Sequence, residues 1–411
     1  MKRTRLPLLA VLPVTVIAFV VAVPFVAGDQ PLRWESGSLL PSLVLGDEDT
    51  GPSKAPSGGD GGSTHAASAP PESTVARVDE EWKKGMPQWG MQLYWEDNPK
   101  HPTEYVDKQA RLQSDYLVGM HANSVSVSFP FYTGGLTSTK ITAGGKTPAP
   151  ERIARVLRIF HQAGLRTTVR PIMDEKSLHV TNGGWRGNID PAGRDAWFAS
   201  YKKFLTPYLK AADETHAASF VIATELNSME GDPHWNALVD DAEKQFSGEV
   251  AYDSNWDAYV GGPVDMPVSH LGIDAYFPVK VPDDASVDTL VDGWNDWLDK
   301  KSTGPLPKIT IAEAGITAMN GGYRAPGDFY SKRAVNPEVQ ANWFTAVCEV
   351  VRERHMKGVY WWSIYFDDDP NTKPDDKVAS RLDFAGRPLT EKAIKSCFTS
   401  GYAGPGTDPA N

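Results

Sequence analysis

The chain has 411 residues, of which 41% are hydrophobic and 13 are tryptophan, so there is ample apolar material for one large core. A formal net charge of −11 with no compensating basic stripe argues against nucleic acid as a partner and places no restriction on a neutral polymer. The nine histidines show no HExxH or similar metal spacing, and no GxSxG occurs, so metal catalysis and serine chemistry are both disfavoured.

Met1-Lys2-Arg3-Thr4-Arg5 followed by the apolar run from Leu6 to Ala27 reads as a basic n-region with a long h-region. Residues 1–28 are therefore an export signal, either cleaved or kept as a membrane anchor. The run is long enough to span a bilayer, whereas Pro7, Pro13 and Pro24 disfavour a continuous spanning helix. Residues 29–75 are rich in Gly, Ser, Pro and acids and lack the apolar surface needed to fold, which makes them a linker. The expected location is extracellular, secreted or tethered to the outer face of the plasma membrane. Cys348 and Cys397, the only cysteines, can close a disulfide in an exported chain, with a free buried pair as the alternative.

Residues 76–400 alternate short β-branched runs with amphipathic stretches, and 401–411 form a tail. Strands are expected at Met91–Trp95, Ser124–Phe129, Arg166–Ile172, Phe220–Thr224, Glu249–Ser254, Leu271–Tyr276, Lys308–Ala312 and Gly358–Ser363. Helices are expected between them, several opening on a proline and an acid, as in Pro150-Glu151 and Pro337-Glu338. The fifth unit gives little room for a helix, because Asn255–His270 contains Gly261-Gly262-Pro263 and Pro267. Eight strands of this kind, with no glycine-rich phosphate loop after the first, predict a single α/β domain of the (β/α)8 TIM-barrel class.

Two of these strands end in glutamate: Phe220-Val221-Ile222-Ala223-Thr224-Glu225 and Ile309-Thr310-Ile311-Ala312-Glu313. A parallel barrel does its chemistry at the C-terminal mouth of its strands, and the fourth and seventh strands lie across that mouth from each other. Two carboxylates so placed can share the roles of acid and nucleophile at a glycosidic bond. Each alone is better read as a strand cap or the partner of a lysine.

Seven stretches occur in an order that resembles glycoside hydrolase family 113, whose characterised members are β-mannanases, within the clan of retaining (β/α)8 glycosidases. They are Gly90-Met91-Gln92, Trp185-Arg186-Gly187, Ala223-Thr224-Glu225-Leu226, Ser254-Asn255-Trp256, Gly272-Ile273-Asp274-Ala275-Tyr276-Phe277-Pro278, Ala312-Glu313-Ala314-Gly315 and Tyr360-Trp361-Trp362. The resemblance runs from Trp89 to about Phe398. It implies Glu225 as general acid/base, in surroundings that keep it protonated through desolvation or a neighbouring carboxylate, and Glu313 as an ionised nucleophile. Tyr276 and Arg170 are the candidate donors to Glu313; a structural ion pair with Asp174 or Glu175 is the alternative for Arg170. Most of the clan has Asn directly before the acid/base, contacting the sugar 2-hydroxyl. Here Thr224 stands there, with Asn227 or Asn255 as substitutes.

Trp361 and Trp362 end the last strand and are both candidates for sugar stacking. Adjacent strand residues face opposite ways, so one is expected to point inward, Trp362 being favoured. Trp95, Trp185 and Trp256 fall at strand ends or loops of the same face and are candidates to line a groove. Asp274 either holds a sugar hydroxyl or braces the site. Trp197, Trp235, Trp294, Trp297 and Trp343 read as core. Asp367-Asp368-Asp369 lacks calcium-loop spacing and reads as a solvated loop.

The sequence therefore predicts a monomeric retaining glycoside hydrolase needing neither metal nor cofactor, acting on a β-linked polysaccharide or oligosaccharide, with β-1,4-mannan first by resemblance. The alternatives are a carbohydrate-binding barrel without turnover, and a transglycosylase or hydrolase acting on a polysaccharide that the cell itself secretes.

Overall fold

The computed structural model describes residues 75–174, 178, 184–329, 332–374 and 382–406. The signal or anchor, the linker up to residue 74, Glu175 and the tail beyond residue 406 lie outside the described residues. No described helix is long and apolar enough to cross a membrane.

The strands are β1 (Gln88–Tyr94), β2 (Ser124–Thr133), β3 (Ile141–Thr142), β4 (Arg166–Met173), β5 (Ser219–Thr224), β6 (Glu249–Asn255), β7 (His270–Asp274), β8 (Ile309–Ala314) and β9 (Gly358–Tyr365). All except β3 are parallel and run in the order β1-β9-β8-β7-β6-β5-β4-β2, and a β1–β2 pairing closes the ring. This is the expected (β/α)8 barrel. The extra strand, β3, turns back antiparallel on the end of β2, pairing Tyr132 with Thr142.

The helices are α1 (Thr103–Gly119), α2 (Pro150–Gln162), α3 (Arg194–Glu214), α4 (His234–Gln245), α5 (Trp256–Gly261), α6 (Val287–Leu298), α7 (Pro337–Glu353) and α8 (Pro388–Phe398). The fifth unit does hold a helix, the six-residue α5, which Asn255 caps by accepting from the Asp257 amide. It fits because the helix stops at Gly261, ahead of the glycine and proline that obscured it. Other starts follow the sequence signals: Pro337 occupies the first turn of α7, and the Asn336 side chain accepts from the Val339 amide.

Serine and valine alternate in Ser124-Val125-Ser126-Val127-Ser128, and both faces of this strand are buried. Val125 and Val127 join the apolar core, whereas Ser126 lines an internal cavity and Ser128 bonds Gln92 inside the barrel. The barrel thus has an apolar exterior under the helices and a polar interior, which explains why its strands alternate instead of reading as unbroken apolar runs. Cys348 on α7 and Cys397 on α8 form a disulfide that joins these packed helices.

Candidate active site

Glu225 follows directly on β5, and Glu313 lies near the end of β8; each is only 1% exposed. Glu225 has φ of 54°, a left-handed conformation that costs a non-glycine residue about 1–2 kcal/mol. Its amide is held by the Asp253 carbonyl at 2.8 Å, so the turn is imposed by the neighbouring strand.

The two carboxylates have different partners. Glu225 accepts from Arg186 Nη1 on Oε2 and from Asn255 Nδ2 on Oε1, both at 2.7 Å. Arg186 stands in a 3-10 turn before α3, and its Nε also bonds the Met173 carbonyl at the end of β4. The desolvation expected from the sequence is there, since Glu225 is buried, but a guanidinium that the sequence reading did not expect shares the site with it. Asn255, expected as a sugar contact, instead spends its amide on Glu225 and its carbonyl on the α5 cap.

Glu313 accepts from the Tyr276 hydroxyl on Oε2 at 2.7 Å and from Arg170 Nη1 on Oε1 at 2.6 Å. Arg170, fully buried on β4, also bonds Asp253 through Nε at 2.7 Å and Asp274 through Nη2 at 2.8 Å. These four residues share a layer of the barrel interior in which Asp274 pairs in register with Glu313. Burial pushes the Glu313 carboxyl up to about 7; Arg170 and Tyr276 pull it down, and the charge on Glu225 adds to the rise.

The aromatic candidates separate by strand parity. Trp362 shares the inward face of β9 with Tyr360 and joins Tyr276, Phe329 and Leu382 in a small cluster apart from the main core. Its ring meets Tyr94 at 5.8 Å. Trp361 points outward, fully buried and stacked on Phe344 of α7 at 4.3 Å, so it cannot line a groove. Trp95 is likewise misassigned: it continues the outward face of Met91 and Leu93, and its ring packs on Phe366 at 4.3 Å with 1% exposure. Trp256 is half-buried against the Trp362 cluster, and its Nε1 finds no hydrogen-bond partner among the described residues.

Trp185 is half-buried next to Arg186. A side chain at Gly187 would come within 2.2 Å of its indole, so glycine there lets the ring lie against the turn that carries Arg186. Of the tryptophans assigned to the core, Trp197, Trp235, Trp294 and Trp343 are buried there and Trp297 packs against it. Thr224 is buried, and its hydroxyl has no partner among the described residues. No group of residues able to hold a metal ion occurs among the described residues.

Two residues at the site carry no assignment from sequence, Arg186 and Asp253. Asp253 was open to inference, since it lies two positions from Asn255 on one face of β6. Arg186 stood in a recognised motif, but a loop residue has no periodicity to show where it points.

The Glycoside Hydrolase Family 113 model matches residues 79–380. A solved family 113 β-1,4-mannanase superposes with a TM-score of 0.62 at 19% identity, covering 77% of this chain and 100% of its own. The family 113 β-mannanase of Alicyclobacillus acidocaldarius, in complex with ManMIm, gives 0.58 at 20% identity, covering 77% and 98%. At these identities the likeness is one of fold. No curated protein matches the chain at a significant level.

Proposed function

Given that the chain belongs to glycoside hydrolase family 113, we propose that this O-glycosyl hydrolase cleaves β-1,4-linked mannan by double displacement. Glu313 attacks the anomeric carbon while Glu225 gives a proton to the departing oxygen. A glycosyl-enzyme ester forms, and Glu225 then takes a proton from the water that breaks it. The observation that carries this reading is the pair of buried glutamates at one mouth of the barrel, Glu225 just after β5 and Glu313 near the end of β8. Arg170 and Tyr276 suit Glu313 to nucleophilic work, because both donate to the charged carboxylate and fix its direction. Trp362 supplies an aromatic face at the same mouth, and the solved family 113 β-mannanases that share the fold support mannan as the polymer.

The amino-terminal charge and apolar pattern, together with a disulfide, support action outside the cell. The test is reducing-sugar release by the fragment beginning near Ser73 on β-mannans, β-glucans and xylans, beside Glu313→Ala. Release from mannan that vanishes in the variant is expected. Release from another polymer moves the substrate assignment, and binding without release from any polymer supports a carbohydrate-binding barrel.

A further inference from the structure

Three carboxylates converge on one fully buried guanidinium: Asp253, Asp274 and Glu313 on Arg170. If all three were ionised, two negative charges would remain uncompensated in a site closed to solvent, and burying unpaired charge is costly. The second cation, Arg186, is engaged by Glu225. The two aspartates are not equivalent. Asp253 lines an internal cavity of about 40 Å³ shared with Gln92, Ser126 and Thr168, enough room for water, so a cavity water can solvate it. Gly272 makes this possible, since a β-carbon there would stand 2.2 Å from Asp253 Oδ1. Asp274 is 0% exposed, and its Oδ1 has no hydrogen-bond partner among the described residues. An ionised oxygen left without a donor is much costlier than one belonging to a neutral acid.

We infer that Asp274 is held as a neutral carboxylic acid and Asp253 as the ionised clamp, so that both are positioning residues that aim Arg170 at Glu313, with one competing anion on the guanidinium instead of two. The inference rests on Glu313 being the nucleophile. Burial raises both carboxyls, and Arg170 opposes the rise at each, but Asp253 is raised less, whereas Asp274 is driven well above the ordinary range and Glu313, Glu225 and Asp253 reinforce the rise there. Tyr252 and Tyr276 lie near the same aspartate, and both phenols are raised, by burial first. Neither tyrosine brings a cation to it.

Infrared spectroscopy at alkaline pH, where Glu313 is ionised, reads the proton directly. A carbonyl band of a buried carboxylic acid is expected in the wild-type protein and lost in Asp274→Asn. This readout does not depend on turnover, so it separates failure of this inference from failure of the hydrolase reading, which Glu313→Ala tests. In kinetics, Asp253→Asn releases Arg170 and is expected to lower kcat about a hundredfold, as misplaced catalytic groups do. Asp274→Asn, which imitates a neutral acid, is expected to lower it only about tenfold, the scale of one perturbed hydrogen bond. Its acidic limb of kcat/KM should stay where the wild-type limb lies. A limb displaced downward by a unit or more, or a band that survives in Asp274→Asn, overturns the inference. Should that variant not fold, the same band sought in the Glu225→Gln/Asp253→Asn double variant decides: its presence supports a protonated Asp274 and its absence overturns the inference.

Discussion

The Tyr276 hydroxyl donates to Glu313 Oε2 at 2.7 Å, on the opposite side of the carboxylate from the Arg170 contact at Oε1. A hydrogen bond to a charged group is worth about 1.5–3 kcal/mol, so Tyr276→Phe is expected to lower kcat roughly ten- to a hundredfold. The bond also favours the ionised form of Glu313. Its loss should therefore move the acidic limb of kcat/KM to higher pH. A lower kcat with an unmoved limb would make Tyr276 a contact of the sugar alone.

The wild-type limb has an expected position of its own. Glu313 must be ionised to attack, and burial holds its carboxyl up to about 7. Activity should accordingly rise with pH through a midpoint near 7, above the ordinary Glu value of about 4.3. A pH profile of kcat/KM on a soluble mannooligosaccharide checks this. A midpoint in the ordinary range would show that Arg170 and Tyr276 outweigh burial.

The same displacement has a cost in stability. Between the unfolded value of about 4.3 and the folded value near 7, the native state binds more protons than the unfolded one, so stability falls as pH rises through that window. Glu313→Gln removes the penalty and is expected to stabilise the protein by up to roughly 4 kcal/mol above the folded pKa. Near pH 4 it should change little. Thermal melts of both proteins at the two pH values give the comparison, and an equal change at both would assign the effect to packing.

Azide separates the roles of the two glutamates by stereochemistry. With an activated aryl glycoside, Glu225→Ala still forms the glycosyl-enzyme ester, and azide opens it to the β-glycosyl azide. In Glu313→Ala no ester forms, azide takes the vacant place and the α-glycosyl azide results. Proton NMR of the products distinguishes the anomers. Exchange of the two outcomes would reverse the assignment, and absence of rescue in both would remove it.

The sequence showed the barrel because its strands end in chemistry: Glu225 and Glu313 close β-branched runs, and Tyr276 and Arg170 lie at positions that the eightfold alternation brings to one mouth. Parity settled that Trp361 and Trp362 face opposite ways, and Tyr360, inward on the same strand, settles which way each goes. Parity reaches Trp95 as well: it continues the Met91 and Leu93 face of β1 into the core, while Gln92 and Tyr94 alternate inward, and its amide still donates to the Ser128 carbonyl of β2. Arg186 was hidden because a loop residue has no periodicity, and its pairing with Glu225 depends on the turn that carries it ahead of α3.

The two adjacent tryptophans give opposite expectations. Trp361 is enclosed between the barrel wall and Phe344, so Trp361→Ala opens a cavity costing about 3–5 kcal/mol and should lower the melting temperature while KM of the folded enzyme holds. Trp362, 4% exposed, packs with Tyr276 and Phe329 close to Glu313 and apart from the main core, and in the proposed function its indole is the platform for a sugar ring. Trp362→Ala is expected to raise KM about tenfold, the equivalent of about 1.4 kcal/mol of lost contact, with a smaller fall in melting temperature. Calorimetry and Michaelis–Menten kinetics on both variants test the contrast. A Trp362→Ala enzyme with unaltered KM and a melting loss equal to that of Trp361→Ala would make both residues packing, and the sugar platform would have to be sought at Trp256 or Trp185.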